Sequence, residues 1–199
     1  MTTQPQGGIR IVLISGSVRP GNFTGKALAL VAAEIQNHPD IAAEQIDPAG
    51  MDLPPPGMGG GSADSVRLRE SVSRATGIIL ATPEYHGSFS SVIKLVIENL
   101  GFPSALAGKP VALLGVAAGQ IGAIKALEGL SSICTHVGAI VLPGPVSIAN
   151  VNRLFDAQGN CLDAGIEKRI RSVAVNLIDY IRGSICPRIA MEAMARGRS

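Results

Sequence analysis

Residues 15–24 form a short polar segment that could bind a phosphate group. The segment reads Ser15-Gly16-Ser17-Val18-Arg19-Pro20-Gly21-Asn22-Phe23-Thr24. It precedes a helical pattern, and at a helix start the first backbone N–H groups lack partners and the helix dipole is positive. We expect a phosphate there to accept hydrogen bonds from the hydroxyls of Ser17 and Thr24 and a charged contact from Arg19.

Two common phosphate-binding motifs do not describe this first loop. In a P-loop, Lys and Ser or Thr follow the second glycine; Gly16 and Gly21 have that spacing, but Asn22-Phe23 come next. The dinucleotide fingerprint GxGxxG is absent as well. Helix capping by Ser17 or Asn22 is the simpler alternative. Capping accounts for one polar side chain, whereas the loop has three together with an arginine, so we favour phosphate binding.

A second loop, residues 82–90, carries groups suited to a planar ring. It begins Thr82-Pro83-Glu84-Tyr85-His86-Gly87-Ser88. Tyr85 offers a flat face, Gly87 allows close backbone approach, and free N–H groups could stabilise the negative charge of a reduced flavin. The alternative is an ordinary connection with a surface tyrosine. Glu84 and His86 could also form an acid–base pair or bind a metal, but no third ligand is near them in sequence.

A third loop, residues 116–122, is built almost entirely of small residues: Ala117-Ala118-Gly119-Gln120-Ile121-Gly122. Such residues let a flat ligand lie against the backbone, although tight packing of a helix on a strand requires small residues too. By itself this loop is weak evidence for a ligand site, and its expected position beside the other two loops strengthens that evidence.

The elements that position these loops alternate between strands and helices. Aliphatic runs predict five strands, at 9–14, 42–47, 77–81, 111–115 and 138–142, the last one closed by Pro143-Gly144-Pro145. Five helices between and after them predict an α/β domain with a parallel sheet covered on both faces. With a strand order of 2-1-3-4-5, the three loops follow strands one, three and four and open onto one crevice.

The 199 residues fit a single domain, with a core at about 9–183 and a C-terminal tail at 184–199. We expect the piece from Pro187 onward to be a loose tail or a subunit contact. Aromatic residues make up 3% and tryptophan is absent, which argues against a single-stranded nucleic-acid binder. A net charge of +2 is too small to predict a polyanionic partner, although a slightly basic chain can still attract small anions such as nucleotides.

The cysteines and the N-terminus bear on location. Cys134, Cys161 and Cys186 are far apart and form no CxxC pair, so we expect free thiols in a reducing compartment. Residues 1–8 lack the pattern of a signal peptide. No apolar run approaches the roughly 20 residues of a membrane span. We therefore expect a cytoplasmic protein with no membrane contact.

The first two loops resemble those of the NADPH-dependent FMN reductase family, which includes chromate- and quinone-reducing members. The family patterns GSxRxxSxN and PEYN stand here as Gly16-Ser17-Val18-Arg19-Pro20-Gly21-Asn22-Phe23-Thr24 and Pro83-Glu84-Tyr85-His86. The similarity in order and spacing of elements runs from about Ile9 to Ile148. It implies a flavodoxin-like three-layer sandwich.

The resemblance also implies an activity and a set of site residues. NAD(P)H would reduce bound FMN, and a small acceptor (flavin, quinone, azo dye or metal oxyanion) would then take the electrons in a ping-pong cycle, with no catalytic side chain. The family also implies a homodimer or homotetramer. The phosphate would be held by Ser17, Arg19, Asn22, Phe23 and Thr24. The ring would be held by Pro83, Glu84, Tyr85, His86 and Gly87, and by Ala117, Ala118, Gly119, Gln120 and Gly122.

Three departures separate this chain from the family patterns. Asn22-Phe23-Thr24 replaces Ser-x-Asn, His86 replaces an asparagine, and Ser90-Ser91 stands where the family usually has Pro-Gly. These changes bear on substrate range and on subunit contacts. Two other functions stay open. One is a flavodoxin-type electron carrier, although such carriers look strongly acidic and this chain is slightly basic. The other is a non-catalytic scaffold with the same fold.

Overall fold

The aliphatic runs of the sequence form the strands of a parallel sheet in a computed structural model, which describes residues 8–58 and 61–196. The strands are β1 Ile9–Ser15, β2 Ile41–Ile46, β3 Gly77–Tyr85, β4 Ser88–Phe89, β5 Pro110–Val116, β6 Ile140–Val141 and β7 Val146–Ile148. Their order is β2-β1-β3-β5-β6; β4 pairs antiparallel with β3, and β7 pairs parallel with β5. Three parts of the chain lie outside the described residues: residues 1–7, within the segment compared with a signal-peptide pattern, the loop residues Gly59 and Gly60, and residues 197–199 of the predicted tail.

The predicted α/β class with a parallel sheet is confirmed, and the exact strand order differs slightly. The fifth strand was predicted at 138–142. In the structure this edge of the sheet consists of two short segments, β6 and, further along the chain, β7, and both pair with β5. Pro143 and Pro145 have no N–H to donate to a ladder, so the edge breaks there and resumes at Val146. The prediction therefore found only the first half of this strand.

Helices cover both faces of the sheet. They are α1 Phe23–Gln36, α2 Ala63–Arg74, α3 Ser91–Glu98, α4 Ile124–His136, α5 Ala164–Tyr180 and α6 Cys186–Arg196. In α1 the apolar positions Leu28, Val31 and Ile35 recur at helical spacing and are buried. Helices α1 and α5 pack on one face, and α2, α3 and α4 on the other, which gives three layers with two apolar cores. Within the described ranges, no helix is long and apolar enough to cross a membrane.

Two sequence-based boundaries are wrong. Strand β3 continues through Thr82-Pro83 to Tyr85, where the sequence predicted a loop, and it then turns back into β4. The predicted loose tail is helical over its described part: a π-helical turn, Ile181–Ile185, leads from α5 into α6. Pro187 had suggested the end of helical structure, but it falls in the first turn of α6, where a missing N–H costs little.

Candidate active site

A cleft of about 340 Å³ opens where β1, β3 and β5 end. Because the strands are parallel, their carboxyl ends share one edge of the sheet, as the sequence predicted for the three loops. The cleft is lined by Ser17, Arg19, Pro20, Gly21, Asn22, Phe23, Thr24, Pro83, Glu84, Tyr85, Val116, Ala117, Ala118 and Val151. Residues of all three predicted loops therefore meet around one space.

The hydroxyl of Ser17 is the most informative polar group in the cleft. It is buried, and it has no hydrogen-bond partner in the structure. The backbone around it is fixed, since the Ser15 hydroxyl donates to the Ser17 carbonyl oxygen (3.1 Å) and accepts from the Ser17 N–H (3.3 Å). Buried polar groups nearly always have partners. An anion in the cleft would supply the acceptor that the Ser17 hydroxyl lacks.

Asn22 caps the helix that begins at the cleft. Its side-chain oxygen accepts from the Gly25 N–H (2.7 Å), and its Nδ2 donates to the Arg19 carbonyl oxygen (2.7 Å). The capping alternative thus holds for Asn22, and its contact with a phosphate stays a prediction. The cap fixes the loop so that the start of α1, with its positive dipole end, faces the cleft.

The remaining first-loop residues surround this helix start. Thr24 is buried in the first turn of α1, while Arg19 is exposed at the edge of the cleft. Lys26 lies one turn further along, with Nζ 5.5 Å from the centre of the Phe23 ring and 2.8 Å from the Asp156 carbonyl oxygen. Arg19 is the cation that lines the cleft, and it enters none of the ion pairs found in the described part of the chain. This arrangement suits a phosphate dianion.

The second loop is a tight hairpin. Tyr85 pairs with Ser88, so His86 and Gly87 form a two-residue turn, and both have positive φ (52° and 76°) as a type I′ turn requires. The Glu84 carboxylate accepts a hydrogen bond from the Gly87 N–H and closes the turn. Pro83, Glu84 and Tyr85 line the cleft, with Tyr85 40% exposed, whereas His86 and Gly87 are at the tip, outside the lining.

Glu84 and His86 gain no metal-binding partner from the fold. Across residues 8–58 and 61–196, no three His, Cys, Asp or Glu side chains lie close enough together to hold a metal ion. The carboxylate of Glu84 acts instead on the backbone of its own hairpin.

The third loop is held by the last residue of β7 and by the chain that follows it. The Ala117 N–H donates to the Ile148 carbonyl oxygen (2.9 Å), and the Val151 N–H donates to the Ala117 carbonyl oxygen (3.0 Å). Ala117 and Ala118 line the cleft, but Gly119, Gln120 and Gly122 do not. A Cβ on Gly122 would lie 2.6 Å from the Ser147 hydroxyl, so tight packing and a positive φ explain this glycine.

Val116 and Val151 line the cleft, and neither was predicted as a site residue, although Val116 begins the predicted third loop. Val116 is the last residue of β5, and Val151 opens a short 3-10 turn, Val151–Arg153, just beyond β7. Both are aliphatic and look like core residues in the sequence. Recognition of β7 as a strand would have placed the residues after it at the same edge of the sheet.

Comparison with known proteins finds relatives of this chain among flavin and quinone reductases. The chain is 32% identical over 167 residues to an NAD(P)H-dependent FMN reductase of Pseudomonas aeruginosa, covering 78% of this chain and 85% of that one. It is 28% identical to a quinone reductase of Escherichia coli, covering 79% and 87%. The fold matches the NAD(P)H:(acceptor) oxidoreductase FerB of Paracoccus denitrificans with a TM-score of 0.76 at 19% identity, covering 88% and 98%.

The family itself is identified by a model described as NADPH-dependent FMN reductase, which matches residues 9–153. This range contains all three loops and every residue that lines the cleft. The family predicted from the first two loops, its oxidoreductase class, and FMN with NAD(P)H as cofactor and co-substrate are confirmed. The chain belongs to the NADPH-dependent FMN reductase family.

Proposed function

We propose that the protein binds FMN in the cleft at the carboxyl edge of the sheet and uses NAD(P)H to reduce small acceptors. The observation that carries this proposal is the buried, unpartnered hydroxyl of Ser17 beside the start of α1. A hydroxyl donor, the positive end of a helix and a guanidinium meet there, and together they suit a phosphate ester.

The residues present fit FMN along its length. Ser17, Arg19 and Thr24, with the N-terminal turn of α1, would hold the phosphate. Pro83–Tyr85 on one side and Ala117–Ala118 on the other would border the ring, because small residues and a flat aromatic face allow close approach. When bound, FMN supplies the redox chemistry, accepting a hydride from NAD(P)H and giving electrons to an acceptor.

The protein's own contribution is to bind and orient. The Asn22 cap fixes the backbone of the first loop and the Glu84–Gly87 bond closes the hairpin, so the backbone of both loops needs little ordering on binding. We assign no proton-transfer role to the side chains of the cleft. The one carboxylate among the lining residues belongs to Glu84, and it already accepts a hydrogen bond from the hairpin backbone.

Quinones, free flavins, azo dyes and metal oxyanions such as chromate are the proposed acceptors. A relative in Burkholderia, 25% identical, is a 2-hydroxy-1,4-benzoquinone reductase, which supports the quinone class. Apart from Arg19 and Glu84, the residues that line the cleft are uncharged and many are small or apolar, so the cleft offers few charged groups that would select one acceptor.

Assembly and location are also proposals. The exposed side chains of Ile121 (79%) and Ile124 (49%), in the third loop and the first turn of α4, support a homodimer or homotetramer that covers them. All three cysteines are free, two of them buried, which supports a reducing, cytoplasmic setting.

The test is a visible absorption spectrum of the purified protein with FMN, followed by anaerobic addition of NADPH. We expect a shifted flavin band that bleaches faster than free FMN does. Binding without bleaching would favour the electron carrier, and an unshifted spectrum would favour the scaffold.

A further inference from the structure

A second cleft, of about 420 Å³, lies at the opposite edge of the sheet. It is formed where β1, β3 and β5 begin, and α6 closes one side. Its lining consists of Gly8, Arg10, Arg74, Ala75, Thr76, Gly108, Lys109, Pro110, Ile185, Arg188 and Ile189. The proposed reductase activity does not use this region.

The charge of this second cleft is unusually one-sided. Four cationic side chains line it, from Arg10, Arg74, Lys109 and Arg188, and no carboxylate does among the described residues. The whole chain has a net charge of only +2, so the cleft concentrates positive charge that the rest of the surface balances. Positive charge in a concave site attracts small anions.

The arginines are only weakly neutralised by neighbours. Arg74 lies 3.7 Å from Glu70, and Arg188 lies 3.7 Å from Glu192; both are exposed helical pairs of the kind that contribute little. Arg10 is exposed and takes part in no ion pair found in residues 8–58 and 61–196. The guanidinium groups are therefore available to an incoming anion.

Lys109 forms part of the floor of the cleft. Its Nζ donates to the carbonyl oxygens of Ser73 (2.8 Å) and Ala75 (2.7 Å), which end α2. These bonds fix the ammonium group, and they leave it one further N–H. Beside the cations, Ile185 and Ile189 provide an apolar wall.

We propose that this cleft is a second binding site, for a pyrophosphate group, either free or as part of a nucleotide. Arginine presents paired N–H donors that match phosphate oxygens, and several cations together favour a ligand with more than one negative charge. The apolar wall would accommodate the organic part of a nucleotide.

The test is calorimetric titration of inorganic pyrophosphate into the protein in the presence of excess FMN. The variant carries Arg10→Gln with Arg188→Gln, and the matched control carries Arg67→Gln with Lys168→Gln, which removes the same charge from exposed positions outside the cleft. We expect saturable binding to the wild type and the control, weakened about tenfold or more in the cleft variant.

Parallel titrations identify the source of the pyrophosphate group. ADP binding tighter than pyrophosphate indicates a nucleotide, and equal binding indicates free pyrophosphate. Three results would overturn the proposal: no saturable binding by the wild type, equal affinity in the cleft variant, or adenosine binding as tightly as ADP. Circular dichroism of both double variants checks that each is folded.

Discussion

The hydroxyl of Ser90 donates a hydrogen bond to the carbonyl oxygen of Gly16, 2.6 Å away. The same hydroxyl accepts from the Ile93 N–H (3.1 Å) as the cap of α3, and the Ser90 N–H donates to the Thr82 hydroxyl (3.1 Å). All of these bonds are buried. They join the first loop to the segment that follows the hairpin, so the phosphate and ring sides of the cleft are held together. Ser90 stands where the family usually has proline, and the structure gives this departure a role.

Replacement of Ser90 by alanine should destabilise the protein by about 1–3 kcal/mol, because the Gly16 carbonyl and the start of α3 both lose a partner. Urea unfolding followed by circular dichroism measures the change. The exposed neighbour Ser91→Ala is the control and should stay within about 0.5 kcal/mol of the wild type. Equal stability of the two variants would mean that the link to Gly16 contributes nothing.

Two glycines of the three loops should differ in how well they tolerate alanine. A Cβ on Gly16 would lie 2.6 Å from the Ala81 carbonyl oxygen and 3.2 Å from the Ile93 Cβ, so β3 or α3 must shift. A Cβ on Gly119 meets nothing within 4 Å. Thermal unfolding should show Gly16→Ala destabilised by about 1–3 kcal/mol or more and Gly119→Ala nearly unchanged. A well-tolerated Gly16→Ala would contradict the close approach of the first loop to β3.

The hairpin turn should become more stable with asparagine at position 86. His86 has a φ of 52°, a conformation that asparagine adopts more readily than histidine and that β-branched residues avoid. His86→Asn should raise the unfolding free energy by a few tenths to about 1 kcal/mol, and His86→Val should lower it by about 1 kcal/mol or more. Scanning calorimetry of both variants checks the order. Destabilisation by asparagine would show that the histidine side chain makes a contact of its own.

The three cysteines should differ strongly in reactivity. Burial raises the pKa of the Cys134 thiol to about 12, so this thiol stays protonated at pH 8, and burial also raises the pKa of Cys186, which therefore has less thiolate than a free cysteine. Cys161 is only half-buried. A disulfide reagent at pH 8 should therefore modify Cys161 in the native protein and the other two only after unfolding. Mass mapping identifies the site, and Cys161→Ser should remove the rapid phase; rapid modification of Cys134 would contradict its burial.

The fold was predictable where one periodicity governed a long segment. The aliphatic strand runs and the apolar stripe of α1 were found because burial leaves a regular pattern in the sequence. The errors occurred at prolines. Thr82-Pro83 suggested a loop although β3 continues through it, Pro143 hid β7, and Pro187 hid α6. Proline marks a constraint on one residue, and only the tertiary context decides whether the element continues.

The site was predictable in its polar part. Ser17 and Arg19 stood out because hydroxyl and guanidinium groups directly after a buried strand are uncommon in a core. Val116 and Val151 could not stand out, because an aliphatic side chain that lines a cleft looks like one that fills a core. His86 was grouped with the ring-binding residues on its motif alone, and the turn geometry places it outside the cleft lining.

The most direct test of FMN binding in this cleft is a fluorescence titration of FMN with wild-type protein, Ser17→Ala and the exposed control Ser88→Ala. The Ser17 hydroxyl is buried without a partner, so its removal should leave the stability of the FMN-free protein unchanged or slightly higher. The same removal should weaken FMN binding about ten- to hundredfold, because a hydrogen bond to the phosphate is lost. Ser88→Ala should bind FMN as the wild type does. FMN affinity that is equal in all three proteins would contradict the account, since the phosphate would then lie elsewhere.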